Sequence, residues 1–307
     1  MNENYKGHLA AIISNVLYGL NVSVTKSLYS ASWMTPIGYS LVRICFGMVM
    51  FWTISFFMPR EKIAPKDWII ILSAGFLGMI ITQITFSVGL GFISPVTMSL
   101  LTSLTPIIVL LLSAFFLKDS LSVKKAIGVI CGISGAAIVI LQNRITGTSP
   151  NSAPGILIVL AGVLSQGSYF IVIRKVVNKY SPVTLMKWMF LMATVILAPF
   201  CVSDLAKQRL FSSEVTLLPI LQLGFALFFA CCLAVFLLPV ALKRIKPTTA
   251  SVYGNLQPLA ASAAAIIIGQ DVFSWDKPLA LFLVILGVLL VTQKKDDIGR
   301  CAGSSEN

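Results

Sequence analysis

Ten long apolar runs, separated by short polar connections, make up most of the chain. Each run holds about 14 to 26 residues, and about 20 apolar residues cross the hydrocarbon core of a bilayer as an upright helix. The pattern predicts an all-α integral membrane protein with ten transmembrane helices. The runs cover residues 9–28, 36–58, 68–90, 95–117, 126–141, 155–173, 183–202, 217–242, 248–268 and 279–292.

The basic residues distinguish the two sides of this predicted membrane protein. If the N-terminus is inside, about 16 Lys and Arg residues fall in connections on the inner side and about four on the outer side, as the positive-inside rule requires. Three more, Lys26, Arg43 and Lys187, fall within the runs. The alternation predicts cytoplasmic N- and C-termini, and the short loops and tails favour a cell (inner) membrane.

The two halves of the chain repeat each other. A shift of about 152 residues places 93–139 on 245–291 without a gap, with about 12 identities in 47 positions. Because each half holds an odd number of runs, the second must enter the membrane from the opposite side. We therefore predict two inverted five-helix repeats. They occupy residues 1–142 and 155–293, with a linker at 143–154 and a cytoplasmic tail at 294–307.

The amino-acid composition agrees with a lipid environment and argues against nucleic acid and metal ions as partners. Hydrophobic residues make up 57% of the chain and charged residues only 11%, too few to cover a soluble fold of this size. The formal net charge is +12, but the basic residues lack the single face or stripe that nucleic-acid binding requires. The six cysteines show no disulfide or metal spacing. We expect the lipid bilayer and a small-molecule substrate as partners, no cofactor, metal or nucleic acid, and a monomer or weak homodimer.

Several segments resemble the EamA family of the drug/metabolite transporter superfamily. Two long blocks and two short motifs carry the resemblance: Ile93-Ser-Pro-Val-Thr through Thr105-Pro106 to Gly135, Ile245-Lys-Pro-Thr-Thr through Gln257-Pro258 to Gly287, Tyr18-Gly19-Leu20-Asn21, and Leu41-Val42-Arg43. The resemblance implies ten helices in two inverted repeats, with a substrate cavity between the repeats near the midplane. Family members move amino acids, other metabolites, nucleotide sugars or drugs, often outward.

The chain departs from the family pattern at three acidic or amide positions. Asp119 and Asp271 stand where the family usually has Glu, and Gln257 stands at a position that is often acidic. The missing acid at Gln257 argues against coupling of transport through a carboxylate.

Ionisable side chains within the runs are few, and each costs about 2.5 to 3.5 kcal/mol near a helix centre. Lys26 and Lys187 lie near run ends, where snorkelling to the interface explains them as well as a functional role does. Arg43 lies deeper and favours a role in the cavity or between helices. All eleven acidic residues fall outside the runs, and the single histidine, His8, lies at an edge. With no buried carboxylate and no nucleophile beside a base, we predict no enzyme activity and no proton relay.

Cavity polarity must then come mainly from amides, hydroxyls and aromatic rings. The candidate substrate-binding residues are Asn15, Tyr18, Asn21, Arg43, Gln83, Ser99, Ser103, Gln166, Tyr169, Trp188, Tyr253, Asn255 and Gln257. Hydroxyls often bond to helix carbonyls, so packing is the alternative role for Ser99 and Ser103. Pro106 and Pro258 occupy matching positions of the repeats and either act as gates or impose static bends.

These expectations combine into a predicted function. The cations within the runs outnumber the anions, and arginine forks pair with carboxylates. We predict an exporter or exchanger of small metabolites, amino acids or related compounds, that works by alternating access around a midplane cavity. A drug or nucleotide-sugar transporter is the alternative, and a channel is a further one.

Overall fold

The computed structural model describes residues 3–117, 127, 130–131, 134, 152–205, 208–212, 216–245, 250, 253–269, 279, 282–283 and 285–286. Within these residues the fold is entirely helical. The helices are α1 (Glu3–Ser30), α2 (Pro36–Phe56), α3 (Pro65–Phe92), α4a (Pro95–Thr102), α4b (Thr105–Leu117), α5 (Ala153–Ile173), α6 (Pro182–Leu205), α7 (Leu217–Arg244) and α8 (Leu256–Ile268).

Seven spans among the described residues are long and apolar enough to cross a membrane. They correspond to predicted runs one to four and six to eight, and α8 is the described part of the ninth. Runs 126–141 and 279–292 lie largely outside the described residues, so the count of ten stays a prediction. The protein is a multi-pass α-helical membrane protein.

Proline and a hydroxyl side chain together define where several helices begin. Thr35, Ser94 and Ser152 each accept a hydrogen bond from the backbone N–H three residues ahead, and each cap is followed by a proline in the first turn. A proline is tolerated there because the first N–H groups of a helix have no partner within it. The capped starts fix the position at which each chain segment turns back into the bundle.

Helix α3 begins three residues earlier than the predicted run, and this places an acidic residue inside a helix. Asp67 lies buried in the first turn, where Lys179 pairs with it at 3.0 Å and the Tyr180 hydroxyl donates to it at 2.8 Å. Asp204 likewise lies in the last turns of α6. Glu3, the first residue of α1, is a third acidic residue within a helix. The expectation that every acidic residue lies in loops or tails is therefore wrong for these three residues. A helix N-terminus and a lysine partner explain why Asp67 is stable there.

The fourth run is broken in two. Helix α4a ends at Thr102, α4b begins at Thr105, and Pro106 is the second residue of α4b. In the second repeat a short 3₁₀ turn, Tyr253–Asn255, precedes α8, and Pro258 is the third residue of α8. Both prolines therefore follow an interruption of the helix instead of kinking the interior of a continuous one.

Helices of the first half pack mainly against helices of the second half. Helix α1 lies against α7 and α8, α2 against α6, and α3 against α5. Close approach depends on glycine: a Cβ atom on Gly47 would lie 2.4 Å from the ring of Phe190, and one on Gly19 would lie 2.6 Å from the Gln257 carbonyl oxygen. Large apolar side chains such as Phe56, Phe115 and Ile267 point outward, as expected for a surface in contact with lipid. The two halves are thus interleaved, and the site described next lies between them.

Candidate functional site

A cavity lies in the middle of the bundle and extends toward the end where α1 finishes and α2 begins. Its volume is about 90 Å³, which is enough for several waters. Helices α1, α2, α3, α4a, α5, α7 and α8 all contribute to the wall. The lining residues are Tyr18, Asn21, Val22, Thr25, Tyr39, Arg43, Gly78, Met79, Thr82, Gln83, Phe86, Ser87, Leu90, Met98, Thr102, Gln166, Tyr169, Val235, Leu238 and Gln257.

Arg43 carries the only charge on this wall. It is 7% exposed, and among the described residues its Nε and Nη2 atoms have no hydrogen-bond partner. No lining residue is acidic. A buried guanidinium stays charged and is costly without a counter-ion or hydrogen bonds. Arg43 therefore keeps two hydrogen-bond donors without a partner among the described residues beside the cavity.

Tyr39 holds Arg43 in place. The Arg43 guanidinium lies over the Tyr39 ring, 5.4 Å from its centre, in a cation–π contact. The Tyr39 side chain is 1% exposed, and its hydroxyl accepts a hydrogen bond from Thr25 Oγ1 at 2.8 Å and contacts the Asn21 amide at 3.3 Å. Tyr29 packs edge-on against the same ring at 5.7 Å. Helix α1 thus fixes the ring that supports the cationic group of α2.

Removing the Tyr39 hydroxyl should weaken ligand binding without removing the charge. In Tyr39→Phe the ring remains, but Thr25 and Asn21 lose their shared partner, so we expect affinity to fall roughly two- to tenfold. The measurement is competition binding to purified protein. Tyr5→Phe, at a residue that is 56% exposed and outside the cavity, is the matched control. Equal affinity of Tyr39→Phe and the parent would contradict this role.

Amide side chains join the two repeats at the cavity floor. Gln257 donates from Nε2 to Asn15 Oδ1 at 2.7 Å and accepts from Thr102 Oγ1 at 3.2 Å. Thr105 donates to Gln166 Oε1 at 3.3 Å. Gln83 has no hydrogen-bond partner among the described residues, so its amide remains free for a ligand.

Two tyrosines and an apolar wall complete the cavity. The hydroxyls of Tyr18 and Tyr169 have no hydrogen-bond partner in the described part of the chain. Tyr169 is fixed by contact with Gly78, on which a Cβ atom would lie 2.7 Å from the ring. Met79, Phe86, Leu90 and Met98 supply a larger apolar surface. A few polar groups that converge within a mostly apolar pocket are typical of small-molecule sites.

The structure brings seven of the thirteen predicted site residues into the cavity: Tyr18, Asn21, Arg43, Gln83, Gln166, Tyr169 and Gln257. Asn15 lies behind Gln257 and donates to the Ala11 carbonyl. Ser99 and Ser103 donate to helix carbonyls, the alternative that the sequence left open.

The remaining three predicted residues lie elsewhere. Tyr253 hydrogen-bonds to His8 Nδ1 at 2.8 Å. The sequence would allow Trp188 to form an aromatic wall with Tyr169, but Trp188 instead packs edge-on against Trp52 and Trp68. The side chain of Asn255 lies outside the described part of the structure.

The two lysines within the predicted apolar runs, Lys26 and Lys187, have local partners. Lys26 Nζ donates to the Leu90 carbonyl at 2.8 Å and therefore caps the end of α3 at the rim of the cavity. Lys187 Nζ donates to Ser55 at 2.8 Å and lies over the rings of Trp52 and Trp188. Arg43 lines the cavity, and its Nε and Nη2 donors lack a hydrogen-bond partner among the described residues.

Sequence reasoning missed several lining residues, above all Tyr39 and Thr25. A signal was present, because Tyr39 and Arg43 are four residues apart, as are Asn21 and Thr25, and residues at this spacing share a helix face. Ser87 has the same spacing from Gln83, whereas the hydroxyl of Thr82 carries no comparable signal, since threonine is common in membrane helices.

The end of the bundle where α1 begins is tied together by several contacts. His8 meets Tyr253, and Arg174 donates to the carbonyls of Leu242 and Ile245. Outside the spans, partial burial raises the pKa of Glu61, but hydrogen bonds from the Ser181 N–H and from the Thr184 and Ser181 hydroxyls outweigh it and hold that pKa below its ordinary value. Described residues from both halves of the chain are therefore joined at this end, and the cavity lies toward the other end.

Comparisons with known proteins agree with this architecture. The sequence model of the EamA-like transporter family matches the chain twice, at residues 5–141 and 153–293. An "Uncharacterized transporter" of Archaeoglobus fulgidus is 24% identical over 294 residues, covering 94% of this chain and 100% of that protein. The "Uncharacterized transporter YyaM" of Bacillus subtilis is 25% identical over 231 residues, covering 73% of each chain.

A crystal structure of a protein 17% identical in sequence shows a similar fold, with a TM-score of 0.64 over 93% of this chain and 96% of that one. The two family matches cover most of the sequence and confirm the resemblance that the motifs indicated. The chain therefore belongs to the EamA-like transporter family.

Proposed function

We propose that the protein moves small carboxylate-bearing metabolites, amino acids or related compounds, across a cell (inner) membrane by alternating access. The cavity between the repeats binds the substrate, and both termini face the cytoplasm. Transport runs as export or exchange. Membership of the family shows that the protein is a transporter of small molecules. The residues that line the cavity support the proposal that its substrates carry a carboxylate.

The observation that carries the proposal is the pair of unpartnered donors, Nε and Nη2, on the Arg43 guanidinium. Its Nε and Nη2 donors are buried, lack partners among the described residues and belong to a wall without an acid. An arginine fork pairs with a carboxylate through two parallel hydrogen bonds. A substrate carboxylate would therefore supply the counter-ion that none of the described lining residues provides.

The size and the remaining surface of the cavity support a compact, partly apolar substrate. A volume of about 90 Å³ suits a small, compact molecule. A nucleotide sugar is several times larger, and a cationic drug would meet Arg43 with no acid to pair with. Both alternatives need a wider or differently charged cavity in another conformation. A channel would need a continuous pore lined by charge or carbonyls.

The direction of opening supports alternating access. The cavity extends toward the end of the bundle opposite the N-terminus, and contacts such as His8 with Tyr253 close the other end. With the termini inside, as the positive-inside rule favours, this arrangement would face outward. The opposite, inward-facing arrangement requires these closing contacts to break.

A labelled panel in proteoliposomes tests the proposal. Vesicles loaded with an unlabelled amino acid are placed in the same amino acid in labelled form, and counterflow is measured with purified protein and without it. We expect counterflow for compact carboxylates, and competition by the free acids but not by their methyl esters or amides. Competition only by neutral or cationic compounds would refute a carboxylate substrate, and steady single-channel currents would favour the channel.

Transport should leave the pH of the vesicle lumen unchanged. The lining residues include no Asp, Glu or His, the side chains that usually carry protons in coupled transporters. A pH-sensitive dye in the lumen should therefore report no change during uptake. Acidification that depends on the protein and the substrate would show proton coupling and contradict a facilitator or exchanger.

We propose that the helix interruptions just before Pro106 and Pro258 act as gates, one on each side of the cavity. Replacing either proline by alanine restores an N–H group and favours a continuous helix across the interruption. We expect Pro106→Ala and Pro258→Ala to slow transport about tenfold, a barrier increase of about 1.4 kcal/mol, while ligand affinity stays near that of the parent. Pro219→Ala, near the start of α7, is the control. Unchanged rates in both variants would mean that the bends are static.

A further inference from the structure

Two helices of the bundle contain a π-helical segment, and the two segments fall at the same place in the two repeats. In α3 the segment is Phe76–Ile81, and in α7 it is Ala226–Ala234. The shift of about 152 residues that relates the repeats carries 76–81 onto 228–233, inside the second segment. The pair therefore follows the inverted symmetry of the chain.

A π-helical turn is an unusual conformation that has to be stabilised by its surroundings. Each N–H bonds to the carbonyl five residues back, as Thr82 does to Leu77, so the turn holds one residue more than an α-helical turn. Such segments are rare and frequently lie at functional sites. One alone could be a local irregularity. Two at matching positions in repeats that otherwise share few residues indicate a common role.

Each segment is held by a serine from the other repeat. Ser165 of α5 donates to the Leu77 carbonyl at 2.9 Å, and Ser14 of α1 donates to the Ala234 carbonyl at 2.8 Å. Both serines are buried. The first bond lies near the start of its segment, at Leu77. The second lies at the end of its segment, at Ala234.

The serines also occupy matching positions, about 151 residues apart. Four residues after each serine stands a tyrosine, Tyr18 or Tyr169, that lines the cavity. The same helix face in each repeat therefore contacts the opposite π-helical segment and the substrate cavity.

The first segment lines the cavity, and the second contacts a residue that lines it. Gly78 and Met79 of the first segment line it directly, and the ring of Tyr169 packs on Gly78. In the second segment, the Cys231 thiol donates to the Arg43 carbonyl at 3.2 Å. A change of helical form in either segment would move the wall on which a substrate rests.

We infer that the two π-helical segments are paired hinges for the switch between the two cavity orientations. Conversion of a segment to α-helix shifts the adjoining part of its helix by one residue, a rotation of about 100° with a rise of about 1.5 Å. The segment then releases its serine partner from the other repeat. Because the repeats are inverted, one hinge converts on each side of the cavity. This mechanism does not depend on which substrate is carried.

Single-residue deletions test the hinges directly. Deleting Phe76 or Phe228, which are 47% and 53% exposed and occupy matching positions, removes the extra residue. The helix should become α-helical while both flanks keep their faces, so the variants should fold. Deleting Leu72 or Leu221, in the α-helical stretches that precede the segments, is the control and should misfold because the flanks rotate.

The readout requires no substrate. A cysteine replacing Gln83 in the cavity is labelled with a membrane-impermeant maleimide in vesicles of each orientation, and labelling of the Gln83 parent gives the background. The undeleted protein should react from both sides. In the hinge-deleted variants, labelling from one side should fall on the order of tenfold or more. Labelling from both sides at parental rates would overturn the inference.

Serine substitutions provide a second test of the hinges if the deletion variants do not fold. Ser14→Ala and Ser165→Ala each remove one bond to a hinge, so the ratio of labelling rates from the two sides should change about threefold, the effect of one such bond in a membrane. Ser73→Ala and Ser168→Ala are matched controls, because these hydroxyls bond within their own helices. No change in either hinge variant would overturn the inference. Failure of the carboxylate proposal would leave this result unaffected.

Discussion

Replacing Arg43 by glutamine should reduce transport of carboxylate substrates about 10- to 100-fold, because a hydrogen-bonded charge pair contributes about 1.5 to 3 kcal/mol. Arg43→Lys keeps the charge but loses the planar fork, so it should retain part of the activity. The measurement is counterflow in proteoliposomes. Neutral analogues of the substrate should bind the parent and Arg43→Gln equally weakly.

The same substitution should have the opposite effect on stability. In the absence of substrate, Arg43 is a buried charge whose Nε and Nη2 atoms lack partners among the described residues. Removing it relieves a desolvation cost, so the substrate-free Arg43→Gln protein should unfold at the same temperature as the parent or higher. A substrate should then stabilise the parent but not the variant.

Arg209→Gln serves as the control for both measurements. Arg209 is exposed and lies over the ring of Trp33, outside the cavity, so its loss should change neither transport nor ligand-induced stabilisation. If Arg43→Gln transported carboxylates at the parental rate, the guanidinium would have no part in recognition and the carboxylate proposal would fail.

The sequence predicts the membrane fold well because bilayer crossing imposes strong rules on hydropathy and charge. Apolar length, basic residues in alternate connections and matched prolines each depend on few residues and are readable in one dimension. Arg43 is recognisable for the same reason, since a charge within an apolar run is expensive. The helical start at Pro65 was missed because Asp67 resembles a loop residue until Lys179, far away in sequence, pairs with it.

Features that depend on contacts between helices were not predictable from the sequence. Trp188 fits an aromatic wall or a separate tryptophan cluster equally well, and only the packing of α2, α3 and α6 places it beside Trp52 and Trp68. The π-helical segments carry no sequence signal of their own, because Phe76–Ile81 is as apolar as its flanks. The support that Tyr39 gives to Arg43 was readable in principle from their spacing.

Among the substitutions considered, Gly19→Ala should most strongly disturb the packing of the two repeats against each other. Helix α1 crosses α8 at this glycine, where a Cβ atom would lie 2.6 Å from the Gln257 carbonyl oxygen and 2.8 Å from Ala260 Cβ. These atoms belong to the backbone or are attached to it, so no side-chain rotation relieves the clash. Gly19→Ala should destabilise the protein by about 1 to 3 kcal/mol.

The same substitution should also disturb the cavity floor. Separation of α1 from α8 moves Gln257 away from Asn15, its partner at 2.7 Å, and from Thr102. We therefore expect Gly19→Ala to lower the unfolding temperature and the affinity for substrate together. Thermal unfolding in detergent and competition binding measure the two effects on one preparation.

Gly224→Ala separates this packing effect from the general effect of alanine on a helix. Gly224 also lies in a membrane-spanning helix, but a Cβ atom there meets no atom within 4 Å. Since alanine favours a helix over glycine by about 0.5 to 1 kcal/mol, Gly224→Ala should be neutral or slightly stabilising. The two substitutions therefore differ in sign. A Gly19→Ala protein that matched Gly224→Ala in stability and binding would show that α1 and α8 are not held together at this crossing.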